Sequence, residues 1–137
     1  MSVPPAITLE LDLHAGPYWP GDTISGRFGV PAQEAGDVRA VELSVLWYTV
    51  GQGEEDLAVQ HFERHAVDET ASEQTVNFSS LRHFQAPLPN SPLSYEGILV
   101  KTRWCVRVRA FLAGGKEVVS EQGFFLGAVP CAQVVDG

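Results

Sequence analysis

The sequence predicts an all-β protein, an antiparallel sandwich of two sheets, and three observations lead to this prediction. Apolar and polar residues alternate over several stretches, which is the period of strands with one buried face. Clusters of Gly, Pro, Asn and Asp separate these stretches and have the composition of turns. No stretch of note has the helical period, and no segment repeats at a fixed interval.

The first two predicted strands flank a proline-glycine turn. Residues 7–13 alternate, with the apolar side chains on one face. Residues 20–22 read Pro-Gly-Asp, which favours a tight turn. The strand that follows carries Gly26 among its inward positions, which indicates a bulge or a close crossing of two strands. Its apolar inward residues are Ile24, Phe28 and Val30.

A long central strand and its antiparallel neighbour are predicted next. Residues 38–50 alternate, and the inward positions are Val41, Leu43, Val45 and Trp47. Residues 51–56 are polar and acidic, as expected for a solvated hairpin tip, and residues 57–65 should return antiparallel. The tip lacks the number and spacing of oxygen ligands that a calcium loop needs.

The second half of the chain supplies the longest alternating run. A short strand is predicted at 75–78, before a proline-rich stretch. From Ile98 to Leu112 the even-numbered positions are almost all apolar, which predicts one inward face. Gly114 and Gly115 predict a turn, and residues 117–126 form the last predicted strand. The total of about seven or eight strands predicts an immunoglobulin-like antiparallel β-sandwich.

Length and charge limit the kinds of protein this can be. The chain has 137 residues, enough to bury a core without disulfides or metals. We expect residues 1–137 to form a single domain, with the core at 7–127 and a tail at 128–137. The formal net charge of −8 argues against nucleic acid as a partner, since proteins that bind it usually present a basic footprint. No apolar run is long enough for an integral membrane segment or a signal peptide, so a cytoplasmic protein is expected.

Three local patterns together resemble the N-terminal domain of the arrestin family, including the α-arrestins and bacterial sporulation-control proteins. They are PGDTISG at 20–26, FQAPLP at 84–89, and PLSYEG at 92–97 running into WCVRV at 104–108. The resemblance covers roughly residues 7–127. It implies an antiparallel sandwich that serves as a protein-binding scaffold and not as an enzyme. Arrestins generally carry two such sandwiches and this chain holds one, so no residue of the family's inter-domain charge network is carried over.

A row of basic residues is the most unusual local feature of this acidic chain. The basic stripe consists of Lys101, Arg103, Arg107 and Arg109, which share the outward face of the longest predicted strand. Such a stripe could bind a carboxylate or phosphate group of a partner. The alternative is a ladder of cross-strand ion pairs with Glu10, Asp12 and Glu42 on neighbouring strands.

Aromatic residues beside the first turn form a second candidate contact site. Tyr18 and Trp19 adjoin the Pro-Gly turn, where an exposed aromatic pair would anchor a partner. Packing over the end of the sandwich is the alternative role. Trp47 and Trp104 occupy inward positions and are predicted to lie in the core.

No catalytic, metal or cofactor site is predicted. The chain has no GxSxG, GxxxxGK or GxGxxG motif. His61 and His65 would share one strand face at a separation of about 13 Å, too far apart for one metal ion. Cys105 and Cys131 are expected to be free thiols, with Cys105 acting as a small packing residue.

These observations predict a cytoplasmic, non-enzymatic interaction and scaffold module. Its partner would be a protein or an extended peptide, bound for example by adding a strand at a free sheet edge. One alternative is a structural module that self-associates into a homo-oligomer. The other is a sandwich that binds a small ligand or carbohydrate through loop aromatics such as Tyr18 and Trp19.

Overall fold

The computed structural model describes residues 7–12, 17–30, 38–51, 55–66 and 81–127, and eight β-strands lie within them. The strands are β1 (Thr8–Leu11), β2 (Thr23–Gly29), β3 (Val38–Gly51), β4 (Leu57–Ala66), β5 (Arg82–Pro87), β6 (Tyr95–Glu96), β7 (Val100–Leu112) and β8 (Glu117–Phe124). A single 3₁₀ turn at Ala113–Gly115 joins the last two strands. The predicted turn at Gly114 and Gly115 is therefore confirmed.

The strands form two antiparallel sheets. The three-stranded sheet has the order β1-β2-β5. The five-stranded sheet has the order β4-β3-β7-β6, and β8 pairs with the same edge of β7 beyond the short β6. The pairing of β3 with β7 runs the length of both strands, from Val38 opposite Leu112 to Gly51 opposite Val100. The predicted antiparallel sandwich is confirmed.

The core lies between the two sheets and uses the inward positions that the alternation predicts. Ile24, Phe28 and Val30 are buried from the three-stranded side. Val41, Leu43 and Val45 of β3 are buried from the other side, and Trp47 packs against them half-buried. Burying side chains of this size is worth about 1.5–3 kcal/mol each. Trp104 is the largest of the fully buried side chains, and its indole N–H donates to the Pro92 carbonyl oxygen at 2.8 Å.

Gly26 marks the close crossing that the sequence predicts. A Cβ atom added there would lie 2.2 Å from the Glu10 carbonyl oxygen and 3.0 Å from the ring of Phe84. The position therefore requires glycine for space. The predicted Pro-Gly turn is also present: Gly21 has a φ of +86°, and the Trp19 backbone N–H donates to the Asp22 carboxylate at 2.9 Å.

The predicted inward face of β7 is wrong at its start. Ile98 lies before the strand and is fully exposed, and Val100 is also exposed. The chain turns at Gly97, whose backbone N–H donates to the Val100 carbonyl oxygen at 3.1 Å, so the buried series begins only at Trp104. Apolar alternation continued through a turn and gave it the pattern of a strand.

Two strands were missed by the sequence prediction. β5 buries Phe84 and Ala86 but ends at Pro87, and proline-rich composition argues against a strand. β6 has two residues, too few for a period. The strand predicted at 75–78 lies outside the described residues. In the part of the chain that the structure describes, no helix is long and apolar enough to cross a membrane.

Candidate protein-interaction surface

The five-stranded sheet has an inner face on the core and an outer face directed away from the three-stranded sheet. β7 divides its side chains between them, because successive residues of a strand point to opposite sides. Trp104, Val106 and Val108 are buried in the core. The basic stripe lies on the outer face, where Arg103 is exposed and the other three residues are half-buried. The structure thus brings all four predicted residues onto one surface.

Each cation of the basic stripe lies near a carboxylate on a neighbouring strand. Arg107 Nε contacts Glu121 Oε2 at 2.5 Å, and Arg109 Nε lies 3.5 Å from Glu117 Oε1. Lys101 Nζ and Arg103 Nε lie 3.9 and 3.4 Å from the two carboxylate oxygens of Glu96. Exposed ion pairs of this kind contribute about 0.2–1 kcal/mol each. Three carboxylates therefore face four cations, and the stripe is only partly neutralised.

The predicted partners of these cations are wrong. Glu10 and Asp12 belong to the other side of the sandwich, where Glu10 contacts Arg27 at 2.9 Å and Asp12 accepts from the Ser25 hydroxyl at 2.7 Å. Glu42 does lie on β3 opposite Arg109, but its carboxylate contacts Arg64 of β4 at 2.5 Å. Which carboxylate meets which cation depends on strand order, and the alternation of a sequence does not contain strand order.

An apolar stripe lies on the same outer face, separated from the basic stripe by the strand β3. It consists of Leu57, Val59 and Phe62 of β4, which are 57%, 50% and 53% exposed. The register places them opposite the outward residues Tyr48, Leu46 and Ser44 of β3. Exposed apolar residues that adjoin one another are the usual mark of a contact surface. The pattern of the sequence does not indicate these residues as a site.

A β-bulge brings the three apolar residues onto one face. Val45 lies opposite His61 and Leu46 lies opposite Val59, so Gln60 is an extra residue in β4. Without that insertion Phe62 and Val59 would point to opposite sides, because they are three residues apart. The spacing of Leu57, Val59 and Phe62 breaks strict alternation, and that break was the signal in the sequence.

Leu46 and Cys105 join the apolar stripe to the basic stripe. They lie opposite each other on β3 and β7, on the outer face, yet they are only 1% and 3% exposed. Burial raises the pKa of the Cys105 thiol to about 11, with Glu121 adding to the shift and Arg107 opposing it. The thiol is therefore protonated near neutral pH. The interpretation of Cys105 as a packing residue is supported, while Cys131 lies outside the described residues.

Two parts of the five-stranded sheet are candidate binding sites: the edge of β4 away from β3, where a partner could add a strand, and the outer face. The edge is the weaker candidate. Within the described ranges β4 pairs with β3 alone, so its other edge is a candidate for pairing. However, β4 contains the bulge at Gln60 and an inward carboxylate, Glu63, and both are features that oppose pairing between sheet edges. The outer face, which carries three exposed apolar residues and four cations on either side of β3, is the stronger candidate.

Glu63 lies between the two histidines of β4. It contacts His61 Nε2 at 2.7 Å and His65 Nε2 at 3.0 Å through its two carboxylate oxygens. Burial alone would raise the pKa of Glu63, but the hydrogen bonds and charges of the two histidines together lower it. The residues that the structure describes include no group of three His, Cys, Asp or Glu residues that could hold a metal ion.

The predicted exposed aromatic pair is wrong for Tyr18. Tyr18 is buried at 5% exposure, with its ring edge-on to Phe124 at 5.4 Å between centroids. Its backbone forms a parallel bridge with Leu126, which draws the side chain into the end of the sandwich. Trp19 is 36% exposed and remains a predicted contact residue. The packing alternative is therefore the correct one for Tyr18.

The two antiparallel sheets with this strand order form an arrestin-like β-sandwich. A solved structure with the same fold is that of Spo0M, a sporulation control protein from Bacillus subtilis, which is 17% identical and superposes with a TM-score of 0.63. The match covers 92% of this chain and 50% of the Spo0M chain, so the chain spans about half the length of that neighbour. No protein-family model matches the sequence, and no curated protein does. The likeness to Spo0M establishes the fold alone.

Proposed function

We propose that this protein is a non-enzymatic interaction module that binds another protein on the outer face of its five-stranded sheet. The observation that carries the proposal is the apolar stripe of Leu57, Val59 and Phe62, which is about half exposed and shares the outer face with the basic stripe across β3. Hydrophobic contact next to arginine is the usual composition of a protein-binding surface. The cytoplasmic location expected from the sequence belongs to the same proposal.

The apolar stripe would supply most of the binding energy. Complete burial of a Phe, Leu or Val side chain is worth about 1.5–3 kcal/mol, and these three have roughly half of that still to gain. Phe62 and its neighbours stand on a strand, so little conformational entropy is lost when a partner covers them. The stripe therefore serves as a preformed anchor.

The basic stripe would supply orientation. Arg107 and Arg109 already hold one carboxylate each, and exposed pairs of this kind exchange partners at little cost. A carboxylate of the partner could take the place of Glu121 or Glu117, with the planar guanidinium fixing its direction. We expect the partner to carry acidic residues beside an apolar surface.

Affinity capture with matched variants tests the proposal. The tagged protein is incubated with a lysate of its native cells, together with Val59→Ser/Phe62→Ser, Arg107→Glu/Arg109→Glu and a control. The control is His83→Ser/Gln85→Ser, at exposed positions on the three-stranded sheet. We expect a partner that is retained by the wild type and the control and is reduced at least about tenfold by either face variant. A partner retained equally by all four proteins would contradict the proposal.

Self-association is the competing function, and light scattering separates the two. A net charge of −8 opposes the approach of two copies, which favours a monomer. We expect the mass of a monomer across the micromolar range. A dimer that Val59→Ser/Phe62→Ser converts to monomer would show instead that the outer face binds a second copy.

A further inference from the structure

The hairpin between β6 and β7 ends in two exposed aliphatic residues. Tyr95 and Glu96 pair with Thr102 and Lys101, and the Gly97 backbone N–H closes the hairpin on the Val100 carbonyl oxygen. Ile98 and Leu99 are left as the two tip residues, with side chains 100% and 63% exposed. The tip makes no contribution to the core.

The residue types at this tip are not those of the favoured two-residue hairpin loops. Two-residue hairpin loops favour Asn-Gly, Asp-Gly or Gly-Gly, because such loops require a positive φ that side chains with a branched Cβ resist. Ile98 and Leu99 are instead large, apolar and, in the case of Ile98, β-branched. Among the described residues, none other than glycine has a positive φ, so the loop avoids the favoured hairpin conformations. Departures from local rules with no gain in folding are expected at functional positions.

Acidic residues surround the tip at the same end of the sheet. β3 ends against the hairpin: a Cβ atom added to Gly51 would lie 2.1 Å from the Leu99 carbonyl oxygen. Beyond that end, Asp56 is fixed to Thr49 by a 2.8 Å hydrogen bond from its backbone N–H to the threonine hydroxyl. Glu55, Asp56 and Glu96 are all exposed. Glu96 also lies 3.9 Å from Lys101 Nζ and 3.4 Å from Arg103 Nε. Among the described residues, this end of the sheet therefore combines an apolar tip with three carboxylates and two cations, an excess of one negative charge.

We propose that Ile98 and Leu99 form an apolar anchor that inserts into an apolar pocket bordered by Lys and Arg on the protein partner. This inference rests on the proposed function and names a second contact with the same partner. Charge favours a protein over a lipid bilayer, because anionic headgroups repel both the net charge of −8 and the excess of carboxylates over cations at this end of the sheet. Tyr95, 60% exposed, extends the apolar surface of the anchor.

Site-specific cross-linking tests the anchor and separates it from the outer face. A photo-reactive p-benzoylphenylalanine replaces Ile98 in one protein and Val59 in another, and each is irradiated in a lysate of the native cells. The cross-linked protein is then purified, and its Kd is measured for the wild type, Ile98→Ser/Leu99→Ser and Val59→Ser/Phe62→Ser. We expect one protein to be cross-linked from both positions, and the tip variant to bind about 10- to 100-fold more weakly at an unchanged Tm. Binding of the wild type should weaken as the NaCl concentration rises from about 0.05 to about 0.5 M, because salt screens the attraction between opposite charges.

The possible results are distinguishable. Cross-linking from position 59 alone, or an unchanged Kd for the tip variant, overturns the anchor and leaves the proposed function standing. Cross-linking from neither position overturns both. A cross-link from position 98 to a second copy of this chain overturns the basic-rimmed partner. Sedimentation of the wild type, but not of the tip variant, with phosphatidylcholine–phosphatidylglycerol vesicles overturns it in favour of a membrane.

Discussion

Glu63 shows how a partly buried charge is maintained at an exposed edge. Removal from water opposes its ionisation, while the two histidines on the same face of β4 favour it. The result is a pKa below the ordinary value, and the carboxylate remains ionised near neutral pH. Its role is local: it ties together three side chains that would otherwise point separately into the space between the sheets.

Stability should depend on the ionisation of Glu63. A folded pKa below the unfolded value of 4.5 means that the carboxylate stabilises the fold above about pH 4.5, and that this contribution is lost as the pH falls through the folded pKa. We expect Glu63→Gln to lower the free energy of unfolding at pH 7, and the difference from the wild type to shrink as the pH is lowered below 4.5. Urea unfolding across this pH range measures this, with Glu55→Gln as the exposed control. The same difference at every pH would contradict the assignment.

At the scale of single residues, the sequence does not predict which side chains contact one another in the site. The basic stripe could be predicted because alternation assigns a face to each residue of a strand. The identity of its partners, Glu96, Glu117 and Glu121, could not be predicted, since two of them lie on β8 and one on a two-residue strand. Tyr18 was misjudged for the same reason: its burial results from pairing with Leu126, which is more than a hundred residues away in sequence.

At the scale of elements, β7 and β8 are joined by a ladder of charges as well as by hydrogen bonds. Arg107 lies opposite Glu121 in the register, and Arg109 extends to Glu117. Cross-strand pairs of opposite charge are worth about 0.2–1 kcal/mol each, and like charges that face one another destabilise by similar amounts. The pairing of these two strands therefore has a modest electrostatic component.

Reversing the charges on β7 should destabilise the fold, and reversing those on β8 as well should restore its stability. We expect Arg107→Glu/Arg109→Glu to retain the fold by circular dichroism and to lose about 1–3 kcal/mol in urea unfolding, because two attractive pairs become repulsive. Adding Glu117→Arg/Glu121→Arg should restore most of that loss, since the pairs are re-formed with the charges exchanged. Failure of the fourfold variant to recover would show that the ladder does not act through charge.

The strands that the sequence predicts well are those of at least seven residues. β2, β3, β4 and β8 follow the predicted ranges closely, because two-residue alternation over that length is typical of a strand and rare in helices or loops. β5 and β6 fall below this limit or contain proline. A search for strict alternation does not detect the bulge of β4. Because the bulge places Phe62 on the same face as Val59, the apolar stripe was not predicted.

At the scale of the whole molecule, one side of the sandwich is closed by the chain that follows β8. β1 packs beside β8, and Leu126 bridges to Tyr18. The backbone N–H of Leu126 also donates to the Ser94 hydroxyl at 2.8 Å, and the Ser94 N–H donates to the Leu126 carbonyl oxygen at 2.7 Å. A single residue thus connects the first turn, the segment before β6 and the core.

Truncating Leu126 should destabilise the entire fold. Its side chain is fully buried, and Leu→Ala substitutions at such positions cost about 2–5 kcal/mol. We expect Leu126→Ala to lower the urea midpoint in one cooperative transition, followed by tryptophan fluorescence. Phe125→Ala is the matched control, because its neighbouring side chain is 44% exposed and should change stability far less. Equal losses in the two variants would contradict a closing role for Leu126.

The bulge at Gln60 also has a consequence for the comparison of relatives. One inserted residue decides which side of the sandwich Leu57 and Val59 occupy relative to Phe62. A relative whose alignment has a one-residue gap here would retain nearly the same composition, yet its aliphatic residues would turn toward the core and the exposed apolar stripe would be lost. The position of that gap, more than percentage identity, would therefore distinguish homologues that keep the proposed binding surface from those that share only the architecture.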